Sequence, residues 1–300
     1  MKYEIDLKFF LEYIRDEQKK SKNTIDAYQR DLECFAEFVK DRGVNSLMDV
    51  TNTDVVAFMM DLRSQGRSKA TINRRLSSLR AFYRFAVKNN LIKSNPTDEL
   101  KSPKLERKEL DYLTIEEVTR VLEVPDDTPK GKRDKAILEV LYATGIRVSE
   151  MIELNLEDAN ITMGFITCNG EHGKARIVPL GRHARKALTI YLNEARKTFF
   201  KGEENLEADS PLFVNYRGER FTRQGFWKLL KNYGKEAGIE DRISPHILRN
   251  SFAVHMLQNG ADVKTLQELM GHEDMQAMQI YLSVTKNRIK DVYNKTHPRA

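Results

Sequence analysis

The sequence is poor in cysteine, with Cys34 and Cys168 the only two in 300 residues. So few, so far apart, exclude a disulfide scaffold and a cysteine-based zinc site, and a reducing cytosol suits them best. Long apolar runs are also lacking. Val55 to Met60 is one of the longest, far short of the ~20 residues that span a bilayer, and no apolar signal core opens the chain. A soluble, cytoplasmic protein without a membrane partner is the expectation. Internal repeats and low-complexity segments are absent as well. What is present excludes wholesale disorder: 40% hydrophobic against 31% charged residues can bury a sizeable core.

Acidic residues are missing from one stretch in particular. Over the whole chain 50 basic side chains face 44 acidic ones, a net charge of +6. Residues 1–105 hold 20 of the basic and 15 of the acidic ones, which leaves 30 against 29 for the rest. Between Leu62 and Thr97 there are nine basic residues and no acid. Within it, Ile72, Leu76, Leu79, Tyr83 and Ala86 recur at helical spacing after Ser68, a residue suited to cap a helix. Arg80, Arg84 and Lys88 form a separate row. An apolar stripe beside a basic one suits a helix that packs inward and meets phosphates outward. The plainer alternative is a solvated basic face, but such faces normally mix both signs. Lys69, Arg74, Arg75, Arg80 and Arg84 are therefore the candidate nucleic-acid contacts.

Three more helices fit about Asp6 to Lys19, Thr24 to Asp41 and Thr53 to Gln65, which makes residues 1–88 a small four-helix domain. Residues 89–108 break the periodicity with Asn95-Pro96 and Ser102-Pro103, both turn or extended signals, and read as an interdomain linker. A second domain, residues 109–300, opens on a capping box from Thr114 to Glu117. Further helices fit Arg133 to Thr144, Val148 to Leu154, His183 to Phe199, Arg223 to Ala237 and Pro245 to Asn259. Two β-branched runs, Phe165 to Thr167 and Arg176 to Val178, flank Asn169 to Gly173 and predict a hairpin. The fold class expected is mainly α with a small antiparallel sheet.

Three segments carry residues suited to chemistry. Ser244-Pro245-His246-Ile247-Leu248-Arg249 starts a helix with His246 and Arg249 on one face, where the helix N-terminus already favours anions. Thr144 to Glu150 places Arg147 at a break between helices, three residues before Glu150, which taken alone reads as a surface ion pair. Gly271-His272 precedes Tyr281. Singly, each has an ordinary structural explanation. Together, two arginines, two histidines and a tyrosine suit one reaction. Guanidinium forks neutralise the non-bridging oxygens of a phosphodiester, while a tyrosine hydroxyl attacks the phosphorus. With a reference pKa of ~10 that hydroxyl needs help to lose its proton, and the leaving oxygen needs an acid.

The ordered set resembles the tyrosine recombinases, specifically the Xer subgroup of the phage-integrase superfamily. The resemblance runs through Thr71 to Arg80, Ala143 to Glu150, Ser244 to Arg249, Gly271-His272, Gln279-Ile280-Tyr281 and the ending His297 to Ala300. It implies a C-shaped DNA clamp: a SAM-like helical core-binding domain facing a mixed α/β catalytic domain with a C-terminal tail. Carried over by motif, Tyr281 is the nucleophile that forms a 3'-phosphotyrosine, and Arg147 and Arg249 hold the scissile phosphate. His246 acts in proton transfer and His272 hydrogen-bonds the phosphate. The covalent link conserves the phosphodiester bond, so no cofactor or metal is implied. The implied partners are double-stranded DNA with a specific recombination site and a homo- or heterotetramer of recombinases on two sites. Strands pass through a Holliday junction, and C-terminal tails are exchanged between protomers, with Thr285 to Tyr293 as the docking helix. Chromosome dimer resolution is the role such relatives commonly serve.

Three positions depart from the pattern. Relatives carry a hairpin lysine, proposed as general acid, where this chain has Glu171; Lys174 matches a second lysine of the pattern. Either the hairpin presents Lys174, which is favoured, or His172 substitutes, or acid catalysis is impaired. Asn250 stands where relatives often have histidine, and Met275 to Met278 replaces a Ser/Thr-rich stretch. The leading expectation is a site-specific recombinase. The alternatives are a catalytically impaired DNA-binding accessory protein of the same fold, or an integrase or invertase of a mobile or phase-variable element. Lys174→Ala should slow cleavage of ordinary DNA, and a substrate with sulfur as the leaving 5'-atom, which needs little protonation, should restore it. Unimpaired cleavage of ordinary DNA would remove Lys174 from the role.

Overall fold

The structure, a computed structural model, describes residues 2–103, 110–170, 175–200 and 207–271, together with Met278 and Tyr281. Two compact units divide the chain, residues 1–107 and 108–300. Among the described residues no helix is long and apolar enough to cross a membrane.

Helices α1 (Lys2–Asp16), α2 (Lys22–Asp41), α3 (Asn52–Ser64) and α4 (Lys69–Lys88) make up the first unit. The last three begin where a hydroxyl takes an otherwise unpaired amide of the first turn. Thr24 N–H donates to Ser21 Oγ, Asp54 N–H to Thr51 Oγ1 and Thr71 N–H to Ser68 Oγ. Their apolar faces close over Phe10, Leu32, Phe35, Phe58, Leu76 and Phe82, all buried. Phe10 and Phe82 meet edge to face with centroids 5.5 Å apart, a favourable quadrupole geometry.

One carboxylate sits inside this helical unit and changes the meaning of the basic stripe. Asp31 of α2 is 3% exposed. It accepts from Ser78 Oγ at 2.8 Å and from Arg74 Nη1, and Arg75 Nε lies 3.8 Å away. Arg75 also donates to Cys34 Sγ at 2.9 Å and stacks over Phe58. Arg80 donates to Ser102 Oγ at 2.8 Å and to the Leu100 carbonyl. Arg74, Arg75 and Arg80 of the basic stripe on α4 thus also meet the protein's own acceptors, with Arg74 exposed as Lys69 and Arg84 are. A stretch without acids in sequence is not without one in space.

The second unit contains α5 (Ile115–Glu123), α6 (Pro129–Thr144), α7 (Val148–Glu153), β1 (Ala159–Asn160), β2 (Phe165–Asn169), β3 (Ala175–Pro179), α8 (Arg182–Ile190), α9 (Arg223–Glu236), α10 (Pro245–Gln258) and α11 (Val263–Met270). The strands form one antiparallel sheet in the order β1-β2-β3, with Ile166 opposite Val178 and Cys168 opposite Arg176. The predicted hairpin is present, and the two-residue β1 extends it. Helices α6 and α10 run through the interior, with Ile137, Leu138, Val140, Ala253 and Val254 buried on several sides. A helix enclosed this way shows no clean amphipathic stripe. The single long helix expected from His183 to Phe199 is broken: α8 ends at Ile190 and passes into a π turn over Tyr191–Ala195 and a 3-10 turn over Arg196–Phe199. The wide turn seats the buried Tyr191, whose hydroxyl accepts from the Val214 amide at 3.2 Å. Helix α11, with only eight residues, was not anticipated.

Gly145 closes α6 in the left-handed conformation, φ +60°, and a Cβ there would lie 2.1 Å from Phe252 Cδ1 of α10. Both the backbone and the packing demand glycine. Gly145→Ala is expected to cost about 2–5 kcal/mol of stability in denaturant unfolding, combining left-handed strain with overpacking. A variant as stable as the parent would show that α10 yields at no cost.

Candidate active site

The last carbonyls of a helix lack intrahelical donors and carry partial negative charge. At the end of α11 three successive ones each accept from a different arginine. Arg176 Nε donates to Leu269 O at 2.8 Å, Arg249 Nη2 to Met270 O at 2.6 Å and Arg147 Nη2 to Gly271 O at 3.3 Å. Arg249 Nη1 also donates to the Gly145 carbonyl. Arg147 comes from the start of α7, Arg176 from β3 and Arg249 from α10. Gly271 is left-handed, φ +63°, and a Cβ on it would stand 2.8 Å from Arg176 Nη1. Glycine there lets the guanidinium approach the helix end.

One carboxylate offsets these cations. Glu150, the third residue of α7, accepts the Arg147 backbone amide at 2.7 Å and Arg147 Nη1 at 3.3 Å. Arg176 grips it with two parallel bonds of 2.7 and 2.9 Å, the strong bidentate geometry of the guanidinium fork. Burial pushes the Glu150 pKa up, but the bonds from Arg176 and the Arg147 amide, with both positive charges, outweigh it and hold the group below its ordinary value. Arg147 and Glu150, which taken alone read as a surface ion pair, are instead part of a larger network, with the Glu150 side chain 7% exposed. Arg249 is pushed down to about 10, by burial first and by Arg147 next. It stays charged at neutral pH. Three guanidiniums against one carboxylate leave a surplus of positive charge in a poorly solvated place, which suits an anionic substrate.

Tyr281 is buried in a cluster with Phe252, Leu257, Leu266, Met270 and Met278. Its hydroxyl donates to Asn250 Oδ1 at 2.9 Å. Burial pushes its pKa up and the nearby Arg249 charge partly offsets this, so the phenol is neutral at pH 7. His246 is exposed in the first turn of α10, beneath a cap in which Ile247 N–H donates to Ser244 Oγ at 3.1 Å. It lies one turn before Arg249. The structure thus brings Arg147, Arg249 and Tyr281 into one neighbourhood, with Arg249 acting electrostatically on both of the others. His272, Lys174, Glu171 and His172 lie outside the described residues, as does the expected C-terminal helix from Thr285 to Tyr293. Cys168 is buried and pushed up to about 12, so it remains a thiol.

Arg176 was not singled out from the sequence as a site residue. A signal existed: in β3 it shares the inward parity of the buried Val178, while Ile177 between them is 64% exposed. A charge on the inner face of a strand needs a partner, and here that partner is Glu150.

Among known proteins, residues 111–288 match the Phage integrase family and residues 7–90 match the Phage integrase, N-terminal SAM-like domain. Tyrosine recombinase XerD of Oceanobacillus iheyensis is 45% identical over 292 residues, 97% of each chain. The protein of that name from Listeria innocua is 41% identical over 293 residues, 97% of this chain and 98% of its own. Of solved structures, XerH site-specific recombinase bound to palindromic difH substrate superposes with a TM-score of 0.72 at 20% identity, covering 96% of this chain and 94% of that one. That last likeness is one of fold.

The depressed Glu150 pKa carries a pH signature. Its stabilising contribution is complete above the ordinary carboxylate value of 4.5 and is lost as pH falls through the lower folded value. Glu150→Gln should lose about 3–5 kcal/mol at neutral pH, because three arginines then face a neutral amide, and its acid unfolding should be shallower than the parent's. Parallel stability curves from neutral to acid pH would contradict this account of the network.

Proposed function

The chain belongs to the phage integrase family and is a site-specific tyrosine recombinase of the Xer kind, and from that premise we propose how its residues divide the work. Tyr281 attacks the phosphorus of a scissile phosphodiester. The bond from phosphorus to the 5'-oxygen breaks, leaving a 3'-phosphotyrosine and a free 5'-hydroxyl. Attack by the 5'-hydroxyl of a second strand reverses the step and releases the tyrosine. Bond energy is kept in the covalent link throughout, so no energy cofactor takes part.

Arg147 and Arg249 hold the non-bridging oxygens, whose charge must be stabilised during in-line displacement. The observation that carries this reading is the surplus of guanidinium charge at the α11 end, within electrostatic reach of the Tyr281 phenol. Each arginine is oriented by backbone carbonyls before substrate arrives, which lowers the cost of organising the transition state. His246 serves proton transfer, His272 hydrogen-bonds the phosphate and Lys174 protonates the leaving 5'-oxygen. Lys69 and Arg84 lead the phosphate contacts of the first unit; Arg74, Arg75 and Arg80 hold α4 in place beside them. The reaction runs in the cytoplasm on double-stranded DNA with a defined recombination site. Four protomers on two sites exchange strands through a Holliday junction, linked by their C-terminal tails, and chromosome dimer resolution is the role.

The test uses a duplex carrying the site recovered by mapping bound DNA in cells, nicked near the cleavage position so that the cut strand diffuses away. The protein should accumulate as a covalent adduct. Tyr281→Phe should abolish the adduct while leaving binding intact, and Arg147→Ala or Arg249→Ala should slow its formation by about 10²–10³. Tight binding without any adduct would instead favour a DNA-binding accessory protein.

A further inference from the structure

Asn250 follows Arg249 on α10, is 2% exposed and has no part in the scheme above. Its amide is engaged from both ends. Oδ1 accepts from the Tyr281 hydroxyl at 2.9 Å, and Nδ2 donates to the Asp111 carbonyl at 3.0 Å. Asp111 belongs to the segment 110–113, which lies outside helices and strands at the entrance to the second unit. That segment is also fastened to α10 by Leu113 N–H donating to Ser251 Oγ at 2.8 Å. Its Leu110 and Tyr112 pack on the apolar cluster that contains Tyr281.

The two bonds fix the direction of the amide. A carbonyl only accepts, so Asp111 keeps the NH2 end facing itself and turns the oxygen end to the tyrosine. A hydrogen bond accepted from a phenol stabilises its neutral form, and an amide oxygen is far too weak a base to remove the proton. The opposite orientation would present N–H to the phenolic oxygen and favour the phenolate, but it would set the amide oxygen against the Asp111 carbonyl.

We propose that Asn250 is a positioning residue that restrains Tyr281 as a neutral phenol, and that the 110–113 segment, through the Asp111 carbonyl, holds the amide in the restraining direction. The inference rests on Tyr281 being the nucleophile. Release of the segment frees the amide to turn, so the nucleophile ionises readily only after the entrance segment has moved. Among the described residues, the surroundings of Tyr281 offer little else to control its proton. Arg249 of α10 favours ionisation and burial opposes it. Tyr112 of the segment and Tyr142 of α6 border the cluster, both against His255 of α10; the described side chains of α11 in the cluster are apolar.

The experiment follows the first-order cleavage rate of the nicked duplex by the full-length protein, at saturating protein, from mildly acid to mildly alkaline pH. Asn250→Leu has similar volume and no hydrogen bonds. It should move the rate profile to lower pH, making cleavage about three- to tenfold faster on the acid side, the worth of one hydrogen bond to the neutral form. Asn250→Val, smaller and likewise unable to accept from the phenol, should shift the profile in the same direction. If Asn250→Leu fails to fold, the valine variant carries the test. Folded variants with the parent's pH profile would overturn the proposal. So would slower cleavage at every pH with an unshifted profile, the pattern of a packing role. Absence of a Tyr281-dependent adduct from the parent protein is a separate outcome, which removes the nucleophile assignment itself.

Discussion

The end of α11, where three guanidiniums meet three backbone carbonyls around one buried carboxylate, is the arrangement on which the catalytic unit depends. Isolated, each arginine would lose far more by leaving water than a single contact returns. Shared, the cost falls. The helix end supplies partial negative charge, Glu150 supplies a whole one, and every guanidinium gains at least one bond to a carbonyl of that helix end. Lysine could not do this, because a point ammonium has no planar fork with which to bridge carbonyl and carboxylate while keeping donors for a phosphate.

The same arrangement explains the spacing of the residues around it. Thr144 ends a buried helix, Gly145 turns the chain through a left-handed conformation, and its carbonyl takes Arg249. Two residues later Arg147 can start α7, and three further on Glu150 returns to accept the Arg147 amide. Gly271 has the matching task at the other end, leaving room for Arg176. In this way β3, α6, α7, α10 and α11 are tied at one place by hydrogen bonds rather than by apolar contact alone. Under the proposed mechanism the substrate's negative charge completes a site whose cations are already oriented, so little reorganisation remains for the reaction itself.

Legibility differed between the two units for physical reasons. Helix starts in the first unit were plain, since Ser21, Thr51 and Ser68 act through neighbouring amides and local spacing is sufficient. The orientation of the basic residues on α4 was not, because Asp31 meets Arg74 across 43 residues of sequence. In the second unit the hairpin and the Ser244 cap were visible for the same local reasons. Arg176 was hidden because its partners, Glu150 and the Leu269 carbonyl, lie 26 and 93 residues away. Asn250 could be recognised as an unusual residue at its position, but not as the one that accepts from the Tyr281 hydroxyl.

The sequence by itself determined the mainly helical class, the small antiparallel sheet and the family, since residue type, periodicity and motif order are properties of the chain. Tertiary structure alone decided which cations are engaged within the protein, which carboxylate balances the active arginines and which way an asparagine amide faces a tyrosine. Those are outcomes of desolvation and of hydrogen-bond geometry between distant segments, and such energies come into being only when the segments meet.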